Sequence, residues 1–237
     1  MTRPVLMLLP GLLCDGRVWR DQVAGLEAQH DCRIPEWGER DTITAMAELV
    51  LEEAPDGPFA LAGHSMGGRV ALEVLRLAPQ RVTRLALMDT GLDPRAPGDA
   101  GAAEEAGRMR LVEIARRDGL RAMGREWARG MVHPSRLDTP VFAEILDMIE
   151  RRTQASYEAQ IRALLARPDA RPVLAQVRCP VLLLCGRQDQ WSPLARHEQM
   201  HALAPHSRLV VVEDSGHMTT MEQPQAVTAA MQQWLGD

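Results

Sequence analysis

The chain has 237 residues, of which 46% are hydrophobic and 25% charged, and its formal net charge is −5. This length fits one domain, or one domain with an insertion, and the composition is typical of a globular protein. The net negative charge and the absence of any basic run disfavour nucleic acid as a partner. The sequence has no run of 18 apolar residues, so it predicts no membrane-spanning helix. We therefore expect a cytoplasmic protein that acts on a small molecule, with its oligomeric state left open.

Short, continuously apolar segments alternate with amphipathic segments along most of the chain. The predicted strands are Val5–Leu9, Cys32–Pro35, Phe59–Ala62, Leu85–Met88, Val181–Cys185 and Leu209–Val212. Continuous apolar runs are typical of parallel strands that are covered on both faces. The predicted helices are Thr42–Ala54, Met66–Leu77, Leu194–Leu203 and Val227–Leu235. This alternation predicts an α/β fold with a doubly wound, mostly parallel sheet.

The stretch from residue 91 to residue 172 interrupts the alternation. It contains amphipathic helical patterns but no predicted strand. We therefore predict a core made of residues 1–90 and 173–237, with residues 91–172 inserted between strands as an all-helical cap. The cap is expected over the carboxyl edge of the sheet, because ligands bind at that edge in open α/β sheets.

A G-x-S-x-G pattern occupies residues 63–67, directly between a predicted strand and a predicted helix. In this context Ser65 is expected on a sharp, strained turn that exposes its hydroxyl group. Gly63 and Gly67 would remove Cβ atoms that collide in such a turn, and Gly68 would let the helix pack closely on the sheet. Ser65 is therefore the predicted nucleophile.

A serine hydroxyl needs a base, and the base in turn needs a carboxylate that orients it. His217 follows the last predicted strand and so reaches the same sheet edge as Ser65, whereas His64 is expected to point away from it. Asp189 follows the preceding strand and is the predicted acid, with Asp89 as its competitor. The predicted oxyanion hole uses the backbone N–H groups of Leu12 and Met66.

Four motifs resemble those of the α/β-hydrolase superfamily, in its compact bacterial esterase-like form. They are Pro10-Gly11-Leu12, Gly63-His64-Ser65-Met66-Gly67-Gly68, Gly186-Arg187-Gln188-Asp189 and Ser215-Gly216-His217. In such proteins these motifs supply the oxyanion loop, the nucleophile, the acid and the base, in that order along the chain. Relatives usually have His-Gly where this chain has Pro10-Gly11, a change that should spare a backbone donor.

The resemblance implies a serine hydrolase that cleaves a small, mostly apolar carboxylic ester, lactone or thioester and needs no cofactor. Trp37, Trp127, Met131 and Trp191 are the predicted pocket residues, and Arg69 and Arg187 are candidates to bind a substrate carboxylate. Two alternatives stay open. The same triad could serve a carbon–carbon hydrolase or a proton-abstracting lyase, or the protein could be a ligand receptor with vestigial hydrolysis.

One further motif competes with this interpretation. Residues 197–201 spell H-E-x-x-H, which places His197 and His201 on one helical face as a zinc site requires. The extended zinc-protease pattern fails, because Ala204 and Ser207 stand where glycine and a third histidine belong. We therefore predict no metal and interpret this segment as a solvated amphipathic helix.

Overall fold

The computed structural model describes residues 3–236, and its centre is a six-stranded sheet. The strands are β1 (Val5–Leu9), β2 (Asp31–Arg33), β3 (Phe59–His64), β4 (Val82–Met88), β5 (Val181–Gly186) and β6 (Arg208–Val212). They lie in the order β2-β1-β3-β4-β5-β6, and every neighbouring pair is parallel. The predicted fold class is confirmed.

Helices flank the sheet. They are α1 (Arg20–Leu26), α2 (Ile43–Glu53), α3 (Met66–Leu77), α4 (Gly98–Asp118), α5 (Leu120–Trp127), α6 (Pro140–Glu150), α7 (Gln154–Leu165), α8 (Arg171–Ala175), α9 (Leu194–Leu203), α10 (Thr219–Glu222) and α11 (Pro224–Gly236). Short 3₁₀ turns occupy Gly16–Trp19, Pro79–Arg81, Ala128–Gly130 and Pro134–Arg136. None of the described helices is long and apolar enough to cross a membrane.

Burial differs between the middle and the edges of the sheet. Every residue of β3 and β5 is buried, whereas β2 is partly exposed throughout and only Val212 of β6 is buried. Helices cover both faces of a central strand, so such a strand can be apolar at every position. The apolar run of β6 therefore predicted a strand correctly but overstated its burial.

The order of the strands fixes where a site can form. The chain runs from β1 outward to β2, then returns to the other side of β1 to make β3. Loops leaving β1 and β3 therefore diverge, and they open a crevice at the carboxyl edge of the sheet. Ligands bind at such switch points in open α/β sheets, and Ser65 and Leu12 lie in the two segments that leave β3 and β1.

Between β4 and β5 the described chain has helices α4 to α8 and no strand. We call residues 91–172 the helical segment; its assignment as a separate cap stays a prediction. The segment is tied to the core by polar contacts, for example from Gln160 to the Leu13 N–H and from Arg151 to Asp15.

The sequence patterns did not predict α1. Only Gln22 and Leu26 of this seven-residue helix are buried, so its apolar pattern is weak. It packs on α11 so closely that a Cβ atom on Gly25 would lie 2.5 Å from Thr228 Cγ2. Packing against a distant helix, rather than local propensity, stabilises such a short helix.

Candidate active site

Ser65 lies on a sharp turn between β3 and α3. Its φ of 54° and ψ of −116° are strained for a residue that carries a Cβ atom. The strain is held by hydrogen bonds, because the Ser65 N–H donates to the Met88 carbonyl at 2.8 Å and the Thr90 hydroxyl donates to the Ser65 carbonyl at 2.6 Å. This turn, called the elbow below, is thus fixed by the last residue of β4 and by Thr90 just beyond it.

The glycines around Ser65 are required by close backbone contacts. A Cβ atom on Gly63 would lie 2.3 Å from the Gly67 carbonyl oxygen, and one on Gly67 would lie 2.1 Å from the Leu9 carbonyl oxygen. On Gly68 it would meet the Thr90 side chain at 2.7 Å. No larger residue fits at these three positions without moving β1, β3 or α3.

The structure brings Ser65, His217 and Asp189 into one hydrogen-bonded chain. His217 Nε2 lies 2.8 Å from Ser65 Oγ, and His217 Nδ1 lies 2.8 Å from Asp189 Oδ2. The histidine and the aspartate are each 3% exposed, so water does not compete for these contacts. A carboxylate on Nδ1 fixes the tautomer in which Nε2 can accept the serine proton.

The Asp189 carboxylate is held in place and ionised by its neighbours. Its Oδ1 accepts hydrogen bonds from the backbone N–H groups of Trp191 at 2.8 Å and Ser192 at 2.9 Å. Burial opposes the charged form, but the His217 ring and these N–H donors outweigh it, so the pKa of Asp189 lies below its ordinary value. Asp189 therefore remains an acceptor at neutral pH.

The turns that carry Asp189 and His217, the predicted acid and base, pack directly against each other. A Cβ atom on Gly186 would lie 2.0 Å from the Gly216 carbonyl oxygen, and one on Gly216 would lie 2.5 Å from the Met131 carbonyl oxygen. The His217 N–H also donates to that Met131 carbonyl. The loop of residues 213–218, which carries the predicted base and is called the base loop below, is consequently held between the end of β5 and the helical segment.

Glu222 is a buried residue of this region that the sequence patterns did not single out. Its carboxylate accepts hydrogen bonds from the N–H groups of His133 at 2.7 Å, Gly216 at 3.0 Å and Met218 at 3.2 Å. Burial raises the pKa of Glu222 even though the three donors oppose that shift. Its carboxylate thus joins both flanks of His217 to the helical segment.

Asp89 and His64 also lie beside the triad but make different contacts. The Asp89 carboxylate accepts from the Gly186 N–H at 3.0 Å and from the Thr219 hydroxyl, while His217 Nδ1 faces Asp189. Burial raises the pKa of Asp89 well above its ordinary value, with the Asp189 charge adding to the effect. His64 is fully buried, and its Nε2–H donates to the His217 carbonyl at 2.8 Å. His64 therefore supports His217 through the backbone.

The loop after β1 is fixed by side chains from two other elements. The Trp37 indole N–H donates to the Pro10 carbonyl at 3.1 Å, and Gln160 Oε1 of α7 accepts from the Leu13 N–H at 2.9 Å. Leu13 has a φ of 59°, a conformation that needs such support. Within residues 3–236 no acceptor is found for the Leu12 N–H. Met66 is the first residue of α3, so its N–H has no partner inside that helix.

A cavity of about 110 Å³ opens beside the Ser65 hydroxyl. It is lined by Leu12, Ser65, Met66, Arg69, Thr90, Gly91, Arg108, Trp127, Leu164, Trp191, Ser192, Arg196 and His217. The ring centroids of Trp127 and Trp191 are 4.9 Å apart, and those of Trp191 and His217 are 5.4 Å apart. Two indoles therefore form a wall that leads to the base.

Two predicted pocket residues, Trp37 and Met131, are absent from this lining. Both are buried, Trp37 beneath the Pro10 carbonyl and Met131 against the base loop. Their position in the sequence near the carboxyl edge did not reveal that their side chains point into the core. A larger cavity of about 630 Å³ lies at the start of β4 and includes none of Ser65, Asp189 and His217.

The H-E-x-x-H segment forms α9, but its two histidines contact different protein groups. His197 is fully buried, and its Nε2 accepts a hydrogen bond from the Thr90 N–H at 3.3 Å. His201 Nδ1 lies 2.8 Å from the Ser207 hydroxyl. The prediction of a solvated helix is wrong for its inner face, because His197 and Met200 pack into the core.

Sequence comparison supports the fold assignment. A sequence model of the Alpha/beta hydrolase family matches residues 6–230. The chain is 30% identical to a pimeloyl-[acyl-carrier protein] methyl ester esterase of Aromatoleum aromaticum, and the match covers 95% of each chain. It is 28% identical to the protein of the same name from Nitrosomonas europaea, with 94% of this chain and 92% of that one covered.

Comparison with solved structures agrees. A thermophilic esterase from Thermogutta terrifontis, solved with malate bound, superposes on the chain with a TM-score of 0.87. The two are 29% identical, and the superposition covers 99% of this chain and 90% of the esterase. The similarity therefore extends through the sheet and the helical segment alike.

Proposed function

The chain belongs to the alpha/beta hydrolase family, and on the geometry of its site we propose that it is a serine hydrolase that cleaves a small carboxylic ester. One observation carries the proposal. The Ser65 hydroxyl, the His217 ring and the Asp189 carboxylate form a continuous relay with both contacts at 2.8 Å. This is the arrangement that activates a serine for attack on a carbonyl carbon.

The relay accounts for both halves of the reaction. Ser65 Oγ attacks the ester carbonyl while its proton passes to His217 Nε2, and the resulting imidazolium is stabilised by the Asp189 carboxylate. The same proton then passes to the alkoxide leaving group, which departs as the alcohol and leaves an acyl-enzyme. His217 then takes a proton from water, which attacks the acyl-enzyme, and returns that proton to Ser65 Oγ as the acid is released and the free serine is restored.

The negative charge of each tetrahedral intermediate needs donors already in place. Leu12 and Met66 line the cavity beside Ser65, and we assign their N–H groups to the oxyanion hole. The N-terminus of α3 adds a favourable dipole at the same point. Removing one donor of this kind typically reduces the rate by about 10²–10³-fold.

The relatives support an ester as the substrate. Two of them are named as methyl ester esterases, and a third is named as an esterase. The cavity volume of about 110 Å³ favours a small group next to the reacting carbonyl. Arg108, Trp127 and Leu164 of the helical segment close one side of this cavity, and we propose that residues 91–172 act as the cap over the site.

A fluorophosphonate probe tests the nucleophile directly. We expect the probe to label Ser65, as shown by peptide mapping, and Ser65→Ala to abolish both the labelling and the turnover of p-nitrophenyl acetate. Ser135→Ala is the matched control, because Ser135 is exposed and lies outside the cavity. Full activity in Ser65→Ala would end the proposal.

Two outcomes would favour the other interpretations. Cleavage of β-diketones without turnover of any short ester would favour a carbon–carbon hydrolase or a lyase that uses the same three residues. Tight ligand binding with negligible turnover and no acyl-enzyme in mass spectrometry would favour a receptor.

A further inference from the structure

Three arginines line the small cavity that contains Ser65. Arg69 extends from α3, Arg108 from α4 of the helical segment, and Arg196 from α9. The chain as a whole carries a formal charge of −5, so this concentration of positive charge is local. The positive charge lies beside Ser65, where it would attract an anionic group of a bound substrate.

Arg69 and Arg196 approach each other without an acidic partner. A Cβ atom placed on Gly91 would lie 3.0 Å from Arg196 Nη1 and 3.2 Å from Arg69 Nη2, so both guanidinium groups border the same small volume. Within residues 3–236 neither group has a carboxylate oxygen within 4.0 Å. Their recorded hydrogen bonds go to backbone carbonyls, from Arg69 to Asp93 at 2.9 Å and from Arg196 to Trp191 at 3.3 Å.

The third arginine is only partly neutralised. Arg108 pairs with Glu104 at 2.9 Å, but Arg167 also binds that carboxylate, at 2.7 Å. Burial, followed by the charges of Arg167, Arg196 and Arg108, lowers the pKa of Arg69. An arginine nevertheless keeps its proton at neutral pH. The cluster is therefore cationic and partly desolvated, and a bound anion would relieve its mutual repulsion.

We propose that Arg69, Arg108 and Arg196 bind a free carboxylate of the substrate. The substrate is then an ester that carries a carboxylate a few carbon atoms from the bond that is cleaved. The inference rests on the proposed function, because it assigns the carboxylate to the cavity that contains the nucleophile. A guanidinium group matches a carboxylate with two parallel N–H···O contacts. Leu12, Trp127 and Leu164 supply apolar surface for the short spacer.

The arginine cluster disfavours the mostly apolar substrate that was expected from the sequence. A mostly apolar substrate would suit the indoles of Trp127 and Trp191, but it would leave three guanidinium groups facing a cavity without an anion. Desolvated charges that lack partners are unfavourable, so the cavity favours a ligand that is apolar in part and anionic at one end. Arg187, the other candidate from the sequence, pairs with Glu213 at 2.7 Å and lies outside the cavity.

Turnover of matched ester pairs tests the subsite. Monomethyl glutarate and dimethyl glutarate differ by one methyl group and by the charge, and acetoxyacetate and its methyl ester place that difference on the alcohol side. We expect kcat/KM for the charged member of at least one pair to exceed that of the neutral member by about tenfold or more, the scale of a hydrogen bond to a charged group. Equal or better turnover of both neutral members would overturn the proposal.

Variants assign the preference to the cluster. Arg196→Gln and Arg69→Gln should each raise KM for the charged ester by about tenfold and reduce the ratio of kcat/KM between the charged and the neutral ester. Arg196→Lys should retain part of the preference because it keeps the charge. Arg117→Gln is the matched control, since Arg117 lies on the same helix as Arg108 but its side chain is 73% exposed. An unchanged preference in both glutamine variants would contradict the assignment.

Binding of glutarate separates the subsite from the hydrolase activity. Isothermal titration of the wild-type protein should show binding that weakens by about tenfold or more in Arg196→Gln and not in Arg117→Gln. Inorganic phosphate, titrated in parallel, should bind more weakly than glutarate. Glutarate binding without turnover of any ester would refute the esterase and keep the subsite. Ester turnover without glutarate binding would refute the subsite and keep the esterase.

Discussion

The close approach of β1 to the elbow makes Gly67 a sensitive position. A Cβ atom there would lie 2.1 Å from the Leu9 carbonyl oxygen, 2.6 Å from the Leu9 carbonyl carbon and 2.8 Å from the Pro10 carbonyl oxygen. All three atoms belong to the backbone, so no side chain can rotate away. The two segments would have to separate by about 0.9 Å to restore the 3.0 Å that real Cβ contacts respect.

Gly67→Ala should therefore damage catalysis more than stability. Overpacking of this kind typically reduces the free energy of unfolding by about 1–3 kcal/mol, which a folded domain can tolerate. Pro10 leads into the loop that carries Leu12, so the same displacement moves one proposed oxyanion donor relative to Ser65. A shift of about 1 Å at a reacting centre can reduce the rate by about 10²-fold, and we expect kcat to fall by at least this factor.

The assay measures p-nitrophenyl acetate turnover, the rate of fluorophosphonate labelling and the midpoint of thermal unfolding. Gly107→Ala is the control. Gly107 lies in the middle of α4, is exposed, and has nothing within 4 Å of a Cβ atom. That substitution should raise the free energy of unfolding by about 0.5–1 kcal/mol and leave turnover unchanged. A folded Gly67→Ala protein with wild-type kcat would refute the argument from close approach.

Three further substitutions test the surroundings of the triad. Asp189→Asn should lower kcat for p-nitrophenyl acetate by about 10⁴-fold, because the amide disfavours the productive tautomer of His217. The melting temperature should change little, because the amide oxygen can still accept the backbone hydrogen bonds of Trp191 and Ser192. Glu222→Gln should reduce the free energy of unfolding in urea by about 1–3 kcal/mol, since its amide nitrogen cannot accept one of the three N–H bonds; an unchanged midpoint would contradict this. Two arginines outweigh the opposing effect of burial and lower the pKa of Glu104 to about 2, so its contribution to stability is present above the unfolded pKa of about 4.5 and is lost as the pH falls towards 2. Between about pH 2 and 4.5, the free energy of unfolding should accordingly depend less on pH in Glu104→Gln than in the wild type, and identical slopes in the two proteins would exclude the assignment.

The sheet and the elbow were predictable from the sequence because both depend on local patterns. Continuous apolar runs identified all six strands, with boundaries that differ from the structure by up to three residues. The G-x-S-x-G pattern singled out Ser65, and the turns that bear Asp189 and His217 were singled out because each follows a predicted strand. Parallel strands end at one edge, and that rule alone was enough to place the three residues near one another.

The supporting contacts were not predictable, because each joins residues that are far apart in sequence. Gln160 reaches the Leu13 N–H across 147 positions, and Glu222 reaches the His133 N–H across 89. A buried glutamine or glutamate has no local sequence signature that distinguishes it from an exposed one. The sequence singled out Arg69 of the arginine cluster but not Arg108 or Arg196, because all 27 basic residues are arginine and these two do not stand out among them.

The helical segment contributes to three parts of the site: the loop after β1, the base loop and the cavity wall. Gln160 supports the loop of the proposed oxyanion donor Leu12, Met131 and His133 bind the base loop through their backbones, and Arg108 belongs to the cationic cluster. Buried polar groups need their partners, so removing these contacts would leave several unsatisfied. If the segment only covered the site, substitutions within it would affect substrate choice but not the positions of the reacting groups. The segment instead fixes the positions of the proposed catalytic groups, so changes within it should alter kcat as well as substrate choice.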